Sequence, residues 1–248
     1  MTKRPIASIT ISGWFSSTMS RTLGVLIRPI ALAWWPRPVL DLGCGTGQFL
    51  SRLSEGVMAV GVDPATAMLD VARARPNGQR VTWVEADARS VRLRRCFDWI
   101  VLTGHAFQVF LTPEDQRAVV ATIAAHLVPG GRFIFDSRNP AWEAWREWGP
   151  EAPKYQIEHP QLGCVEAWSD ASQDPATGIV TYETHYRVLE DGRQFSAASK
   201  IAFPSQPTIA DLLDDAGLVV EQWLGDWQGA EFDPRSEEII PVGRVERE

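Results

Sequence analysis

The sequence predicts an α/β fold, a doubly wound parallel sheet interrupted by an inserted antiparallel β meander. Three observations predict it. From residue 39 to about 140, short apolar runs alternate with helical patterns. From about 141 to 203, strand-like runs follow one another with almost no helix between them. After 204 the alternation resumes. Regular β-α alternation implies parallel strands covered by helices on both faces, whereas consecutive strands joined by turns imply an antiparallel sheet. The expected division is a basic N-terminal arm or helix (1–38), an α/β domain (39–140 and 204–248), and an inserted substrate-side subdomain (141–203).

Each element has its own local reason. Val39–Leu42 is a short buried-strand run that ends in glycines, and Gln48–Ser54 reads as a helix. Val57–Val62 is the second strand. Pro64–Arg75 reads as a helix with proline at its first position, where the missing N–H costs little. Val81–Glu85 and Trp99–Leu102 are the third and fourth strands. Thr112-Pro113-Glu114-Asp115 is a helix start: N-cap, proline, then acids in the first turn. Val119, Val120, Ile123 and Leu127 share one face of that helix. Pro129-Gly130-Gly131 stops it, and Arg132–Asp136 is the fifth strand. Ala141–Trp148 reads as a short helix carrying Trp142, Trp145 and Trp148. Strands follow at roughly 154–159, 163–172, 178–189 and 193–203, with turns at Asp174–Gly178 and Glu190-Asp191-Gly192. Ile209–Ala216 is a helix ending at Gly217, and Leu218–Trp223 and Ile239–Val245 are the last strands.

Composition removes several classes. The chain has 248 residues, 45% hydrophobic and 22% charged, which suits a soluble globular protein. Three separated cysteines, Cys44, Cys96 and Cys164, give neither a disulfide framework nor a CxxC metal motif, and no metal is expected. They suit a reducing compartment, so a cytoplasmic location is expected. A net charge of −7 argues against nucleic acid as a partner. No apolar run is long enough to span a bilayer, so no membrane partner is expected. Residues 1–40 carry +5 and no acid, leaving −12 on the rest. Such a segment reads as a basic arm on an acidic domain, or as a transit-peptide-like leader.

The sharpest motif is Val39-Leu40-Asp41-Leu42-Gly43-Cys44-Gly45-Thr46-Gly47. Three alternating glycines follow a strand and open a helix, where the turn needs unusual backbone angles and a ligand must approach the main chain. The pattern is GxGxG rather than GxGxxG, because Gln48 occupies the sixth place; that departs from a dinucleotide site. Asp63 ends the second strand and can accept hydrogen bonds from a ribose. Glu85-Ala86-Asp87-Ala88 follows the third strand and can meet an adenine. All lie at strand carboxyl ends, where open α/β sheets bind ligands.

With these residues the chain resembles the class I S-adenosylmethionine-dependent methyltransferases. Asp41–Gly47, Asp63, Asp87, the strand Phe97-Asp98-Trp99-Ile100-Val101 and Leu127-Val128-Pro129-Gly130-Gly131 carry the resemblance, over about residues 39–136 and again over 203–245. The resemblance implies a seven-stranded Rossmann-like sheet whose last strand is antiparallel, with S-adenosylmethionine as cofactor. It places Gly43, Cys44 and Gly45 at the methionine part, Asp63 at the ribose with Met68 nearby, and Asp87 and Ala88 at the adenine, with Asp41 and Pro64 as further cofactor-binding candidates. Thr103 and Gly104 would face the methionine end. Relatives usually carry a tyrosine-containing N-terminal helix as a lid; residues 1–38 contain no tyrosine.

The expected activity is methyl transfer to an N or O atom of a small molecule. Methylation of RNA or protein, and cofactor binding without catalysis, are the competing readings. His105 follows Thr103-Gly104 and is the candidate base, with a helix-start or packing role as the competing reading. Arg138, after the fifth strand, can pair with a substrate carboxylate or phosphate, or form a surface salt bridge. Trp142 and Tyr186 stand for an aromatic roof over the substrate, in a chain with eleven tryptophans. Aromatic residues on the inserted sheet also suit a homodimer interface. Cys44 reads as a small residue in a tight loop rather than a nucleophile, and His126 as a dipole partner at a helix end.

Overall fold

A computed structural model describes residues 38–53, 57–149, 151, 153–159 and 162–246. The N-terminal arm therefore lies outside the described residues, apart from Pro38. The chain builds two sheets. The first contains β1 (Val39–Leu42), β2 (Ala59–Asp63), β3 (Thr82–Glu85), β4 (Phe97–Leu102) and β5 (Leu127–Phe135), with β11 (Leu218–Leu224) and β12 (Glu238–Val245). Its order is β11-β12-β5-β4-β1-β2-β3, and the short β6 (Ser137–Arg138) pairs with β12. β1 to β5 are parallel, and β12 runs antiparallel to both β5 and β11. The seven-stranded sheet with an antiparallel last strand is thus present.

Alternation divides the core between the two faces of this sheet. Leu40, Leu42, Val60, Val62, Ile100, Leu102, Phe133 and Phe135 pack on one side. Val39, Ala59, Trp99, Val101, Ile134 and Val242 pack on the other. Burial on both faces is what a parallel sheet requires, and it explains the unbroken apolar runs. Helix α1 (Thr66–Ala74) buries Met68, Leu69 and Ala72. Helix α2 (Pro113–His126) starts as its sequence dictates: Thr112 Oγ1 accepts the Asp115 N–H at 3.1 Å. Helix α3 (Gln206–Asp215) is capped by Ser205 and ends before Gly217, whose φ is +69°.

The second sheet is the inserted meander, in the order β10-β9-β8-β7: β7 (Tyr155–His159), β8 (Gly163–Gln173), β9 (Val180–Val188) and β10 (Gln194–Ile201), all antiparallel. Gln108, fully buried, ties it to the first sheet: its Nε2 donates to Ala202 O, and its own carbonyl accepts the Ala202 N–H, both at 2.8 Å.

Four local expectations are corrected. Within 48–53 only one 3-10 turn forms (Leu50–Arg52), closed by tight bonds such as Leu53 N–H to Leu50 O. Pro64 is not the first residue of α1, because Asp63 Oδ1 accepts the Ala65 N–H and makes a turn ahead of the helix. β5 begins at Leu127: Pro129-Gly130-Gly131 bulges within the strand, with a register shift opposite Phe97 to Trp99. Residues 141–148 form two 3-10 turns (Pro140–Trp142 and Ala144–Trp148) rather than one helix, because Glu143 adopts φ +50° between them. His126 stands in the last turn of α2, buried, with Nε2 accepting the Leu93 N–H and Nδ1 2.8 Å from Thr122 O, so it also joins a loop to the helix.

Candidate active site

A cavity of about 620 Å³ opens at the carboxyl ends of β1 to β4 and runs beneath the inner face of the inserted sheet. Such a volume suits a small-molecule site. On its first side the glycine loop is tied down by Gly43 and Cys44, whose N–H groups both donate to Val62 O, at 2.8 and 3.0 Å. The three glycines do different work. Gly43 takes φ +73° with Ala106 close against it, and Gly45 takes φ +51° with open space where a Cβ would sit. Gly47 has φ +69°, and a Cβ there would strike the Trp83 indole. The third glycine thus makes room for a side chain rather than for a ligand.

Asp63 is buried. Its Oδ2 accepts the Gly45 N–H at 2.9 Å and its Oδ1 the Ala65 N–H, so the carboxylate fixes the loop and keeps acceptor sites for a ligand. Asp87 is gripped by Arg89 through both carboxylate oxygens, and Arg89 reaches on to Asp115. The Arg89 guanidinium holds the Asp87 carboxyl below its usual range. Pro64, Met68, Ala88, Thr103 and Gly104 complete this side of the wall.

Asp41 and Cys44 do not line the cavity. Asp41 is buried behind the loop with Oδ1 unpaired among the described residues; burial, then the nearby Asp63 and Asp136, push its pKa well up. The Cys44 sulfur lies against Gly61, and burial raises its thiol pKa, which suits a packing residue.

On the other side, Gly104 and His105 both take left-handed backbone angles, φ +76° and +60°. That turn carries His105 off the end of β4 and into the wall. Its backbone N–H donates to Asp136 Oδ1 at 2.9 Å, and its Nε2 lies 2.8 Å from Glu238 Oε1 and 3.6 Å from Asp136 Oδ2. Among the described residues these three side chains are the group whose donor atoms, all within 4.8 Å of one another, could hold a metal. The direct imidazole–carboxylate hydrogen bond already uses that space. Burial pushes His105 down to about 4 and Glu238 up to about 7, and it raises Asp136.

Arg138 pairs across strands with Glu238. Its guanidinium donates to Gln108 Oε1 at 3.0 Å and lies 4.9 Å from the Trp148 ring centre, and Arg138 lines the cavity. Burial lowers its pKa, opposed by Glu238 and Asp136.

The roof is the inserted sheet, with residues of β7 to β10, including Lys200, in the cavity wall. All three tyrosines of the chain, Tyr155, Tyr182 and Tyr186, line the cavity, with burial pushing the Tyr186 phenol up to about 12. Ser169 and Thr184 face each other across β8 and β9, and with Tyr182 they bring three hydroxyl-bearing side chains to the cavity wall. Trp142 is 45% exposed and lies off the wall; Trp148 stands there instead. The break at Glu143 removes the helical register that would have aligned Trp142 with Trp148, and Trp145 turns inward onto Phe203. Sequence reasoning missed Glu238 and the hydroxyl row. The period-two run Tyr182, Thr184, Tyr186 was a signal for the row. Nothing local marked Glu238.

Comparison with known proteins decides the family. The model of a methyltransferase domain matches residues 39–131. An amino-sugar N,N-dimethyltransferase of Streptomyces venezuelae (acting on dTDP-3-amino-3,4,6-trideoxy-alpha-D-glucopyranose) is 34% identical, over 77% of this chain and 79% of its own. The chain belongs to the S-adenosylmethionine-dependent methyltransferases. The cypemycin N-terminal methyltransferase of a Streptomyces species is 29% identical over 83% of this chain and 82% of its own. In fold, the methyltransferase is similar to an S-adenosylmethionine-dependent methyltransferase of Clostridium acetobutylicum ATCC 824, with a TM-score of 0.80, 17% identity, and 96% and 97% of the two chains covered. Its cofactor is S-adenosylmethionine, and the open face of Gly45 beside the buried Asp63 gives that molecule a fitting cradle. No described helix is long and apolar enough to cross a membrane.

Proposed function

We propose that this methyltransferase methylates the nitrogen of an amine on a small, hydroxyl-bearing molecule. The observation that carries the reading is the imidazole of His105 in the cavity wall beside Gly104, backed by the carboxyl groups of Asp136 and Glu238. An amine arrives at neutral pH as an ammonium. Two carboxyl groups behind one neutral imidazole attract that cation and give its proton somewhere to go.

The cofactor, when bound, supplies a methyl group on a sulfonium, a good leaving group for in-line displacement. The chain's part is to align, to exclude water and to remove a proton. In this reading Gly45 receives the methionine part through open backbone, with Gly43 beside it in the wall. Asp63 takes the ribose hydroxyls, with Met68 packed beside it, and Asp87 and Ala88 take the adenine. Thr103 and Gly104 border the methyl end. With the cofactor bound, the ammonium would first give up its proton toward the His105 end, and the freed nitrogen lone pair would then be aligned to receive the methyl group. Arg138 holds an anionic group of the acceptor, and Tyr186 with the Ser169, Thr184 and Tyr182 hydroxyls meets its polar face. The inserted sheet is then the substrate-side unit.

The relatives support nitrogen. One is named for an amino sugar and an N,N-dimethyl transfer, the other for the N-terminus of cypemycin. The test is a methyl-transfer screen with amino sugars, short peptides and their hydroxyl analogues, reading S-adenosylhomocysteine release. Turnover with amines, lost with the analogues that lack nitrogen, is expected; turnover with hydroxyl acceptors alone overturns the reading.

A further inference from the structure

Glu238 belongs to neither the sequence motifs nor the cavity wall, yet its carboxylate lies 2.8 Å from the His105 ring Nε2. We infer that Glu238 is a positioning residue for the acceptor: it orients the imidazole that borders the cavity and sets which ring nitrogen carries hydrogen. The inference rests on the amine reading of the same site.

The fold explains why this residue is there. β12 is antiparallel to β5, so its first residue, not its last, lies at the edge where the parallel strands end. Asn139 anchors the approach to β12. Its Nδ2 donates to Pro234 O and Ser236 O at 3.1 and 2.8 Å, and its backbone N–H donates to Glu237 O at 2.9 Å. Asp136 holds the His105 backbone from the other side. The ring is thus clamped between β5 and β12, with side-chain exposure of 10% for His105 and 19% for Glu238.

An ionised Glu238 can only accept, so Nε2 must carry the hydrogen and the lone pair lies on the buried Nδ1. A protonated Glu238 donates to Nε2 and moves the ring hydrogen to Nδ1. Among the described residues, the charged and titratable groups facing this pair include Asp136 just after β5, Arg138 on β6, Tyr182 of the inserted sheet near Arg138, and Asp41 behind Asp136. Burial outweighs Arg138 and brings the Glu238 carboxyl to about 7, so the two arrangements exchange in the neutral range. With Glu238 ionised and the ring neutral, the pair carries one negative charge and attracts an ammonium.

The experiment needs no acceptor. Imidazole ¹⁵N spectra of the full chain are recorded with S-adenosylhomocysteine from pH 6 to 9, with His105→Gln to assign the signals. In the wild type the His105 nitrogens should shift with a midpoint near 7 and show hydrogen on Nε2 above it. In Glu238→Gln, which keeps the shape and cannot ionise, that midpoint should vanish. In Glu238→Leu the preference for one tautomer should vanish while S-adenosylhomocysteine affinity stays within about threefold. A wild-type midpoint retained in Glu238→Gln, or hydrogen on Nδ1 across the whole range, overturns the inference. A failed amine screen with the midpoint present removes the amine reading and leaves the tautomer control standing. Amine turnover with a wild-type ring that never titrates removes Glu238 alone.

Discussion

Gly43, Asp63 and Asp87 reach the cavity from the ends of three successive parallel strands, each within a few residues of the motif that announces it. His105, Arg138, Trp148, Tyr186 and the supporting Glu238 reach the same space from β4, β6, a 3-10 turn, β9 and the start of β12. The proposed cofactor side is therefore assembled from local sequence, and the proposed acceptor side from segments up to 133 residues apart. Backbone conformation governs the first side and buried charge the second. The two should respond differently to substitution.

The largest separation is expected from His105→Gln. Methyl transfer should fall about 1000-fold through loss of the proton-accepting ring, while S-adenosylhomocysteine affinity changes by less than about threefold. Parallel loss of both, by rate assay and calorimetry, would break the comparison. Asp63→Ala should act on the cofactor side alone. Its removal leaves the Gly45 and Ala65 N–H groups unpaired in a buried place, and S-adenosylhomocysteine binding should weaken about 100-fold with the fold retained by circular dichroism.

The next effect is on stability against pH. The Glu238 carboxyl holds its proton more tightly folded, near 7, than in the unfolded chain, near 4.5. Its stabilising proton is present below 4.5 and lost as pH rises to about 7. His105 is the reverse: its folded value near 4 lies below the unfolded 6.5, so its contribution is present above 6.5 and lost as pH falls toward 4. The two slopes oppose, so the pair itself contributes almost no pH dependence between pH 5 and 6.5, while the raised Asp41 and Asp136 carboxyls act alike in every variant. Relative to the wild type, denaturant titrations should show His105→Gln losing stability as pH rises through that window and Glu238→Gln gaining it, each on the order of 2 kcal/mol. Single variants whose pH dependence parallels that of the wild type would show that the pair is not the buried charge centre. The smallest effect is expected from Asp115→Asn. It removes one end of the exposed Asp87–Arg89–Asp115 chain and should change stability by only about 0.5 kcal/mol and cofactor affinity little.

The fold was legible because its signals are local. Thr112-Pro113 starts α2, Gly217 ends α3, and apolar alternation sets the strands, each by steric or hydrogen-bond rules that act within a few residues. Misreadings arose where a distant group intervened. Phe97 O and Val128 O close on Gly131 and make a bulge where a helix stop was read, and the Glu143 backbone breaks the tryptophan register. The glycine motif was found for a reason only partly its own, since Trp83 requires Gly47.

By itself the sequence determined the alternating sheet, the inserted meander and the cofactor edge, because chain direction and strand ends fix where Gly43, Asp63 and Asp87 must stand. Tertiary structure alone decided the acceptor end. Only when β12 enters antiparallel does Glu238 reach His105, and only when β8 and β9 pair do Ser169 and Thr184 stand side by side. The physical reason is range. Backbone sterics and capping act over a few residues, whereas a buried imidazole's proton is set by whichever charges the fold brings within a few ångströms.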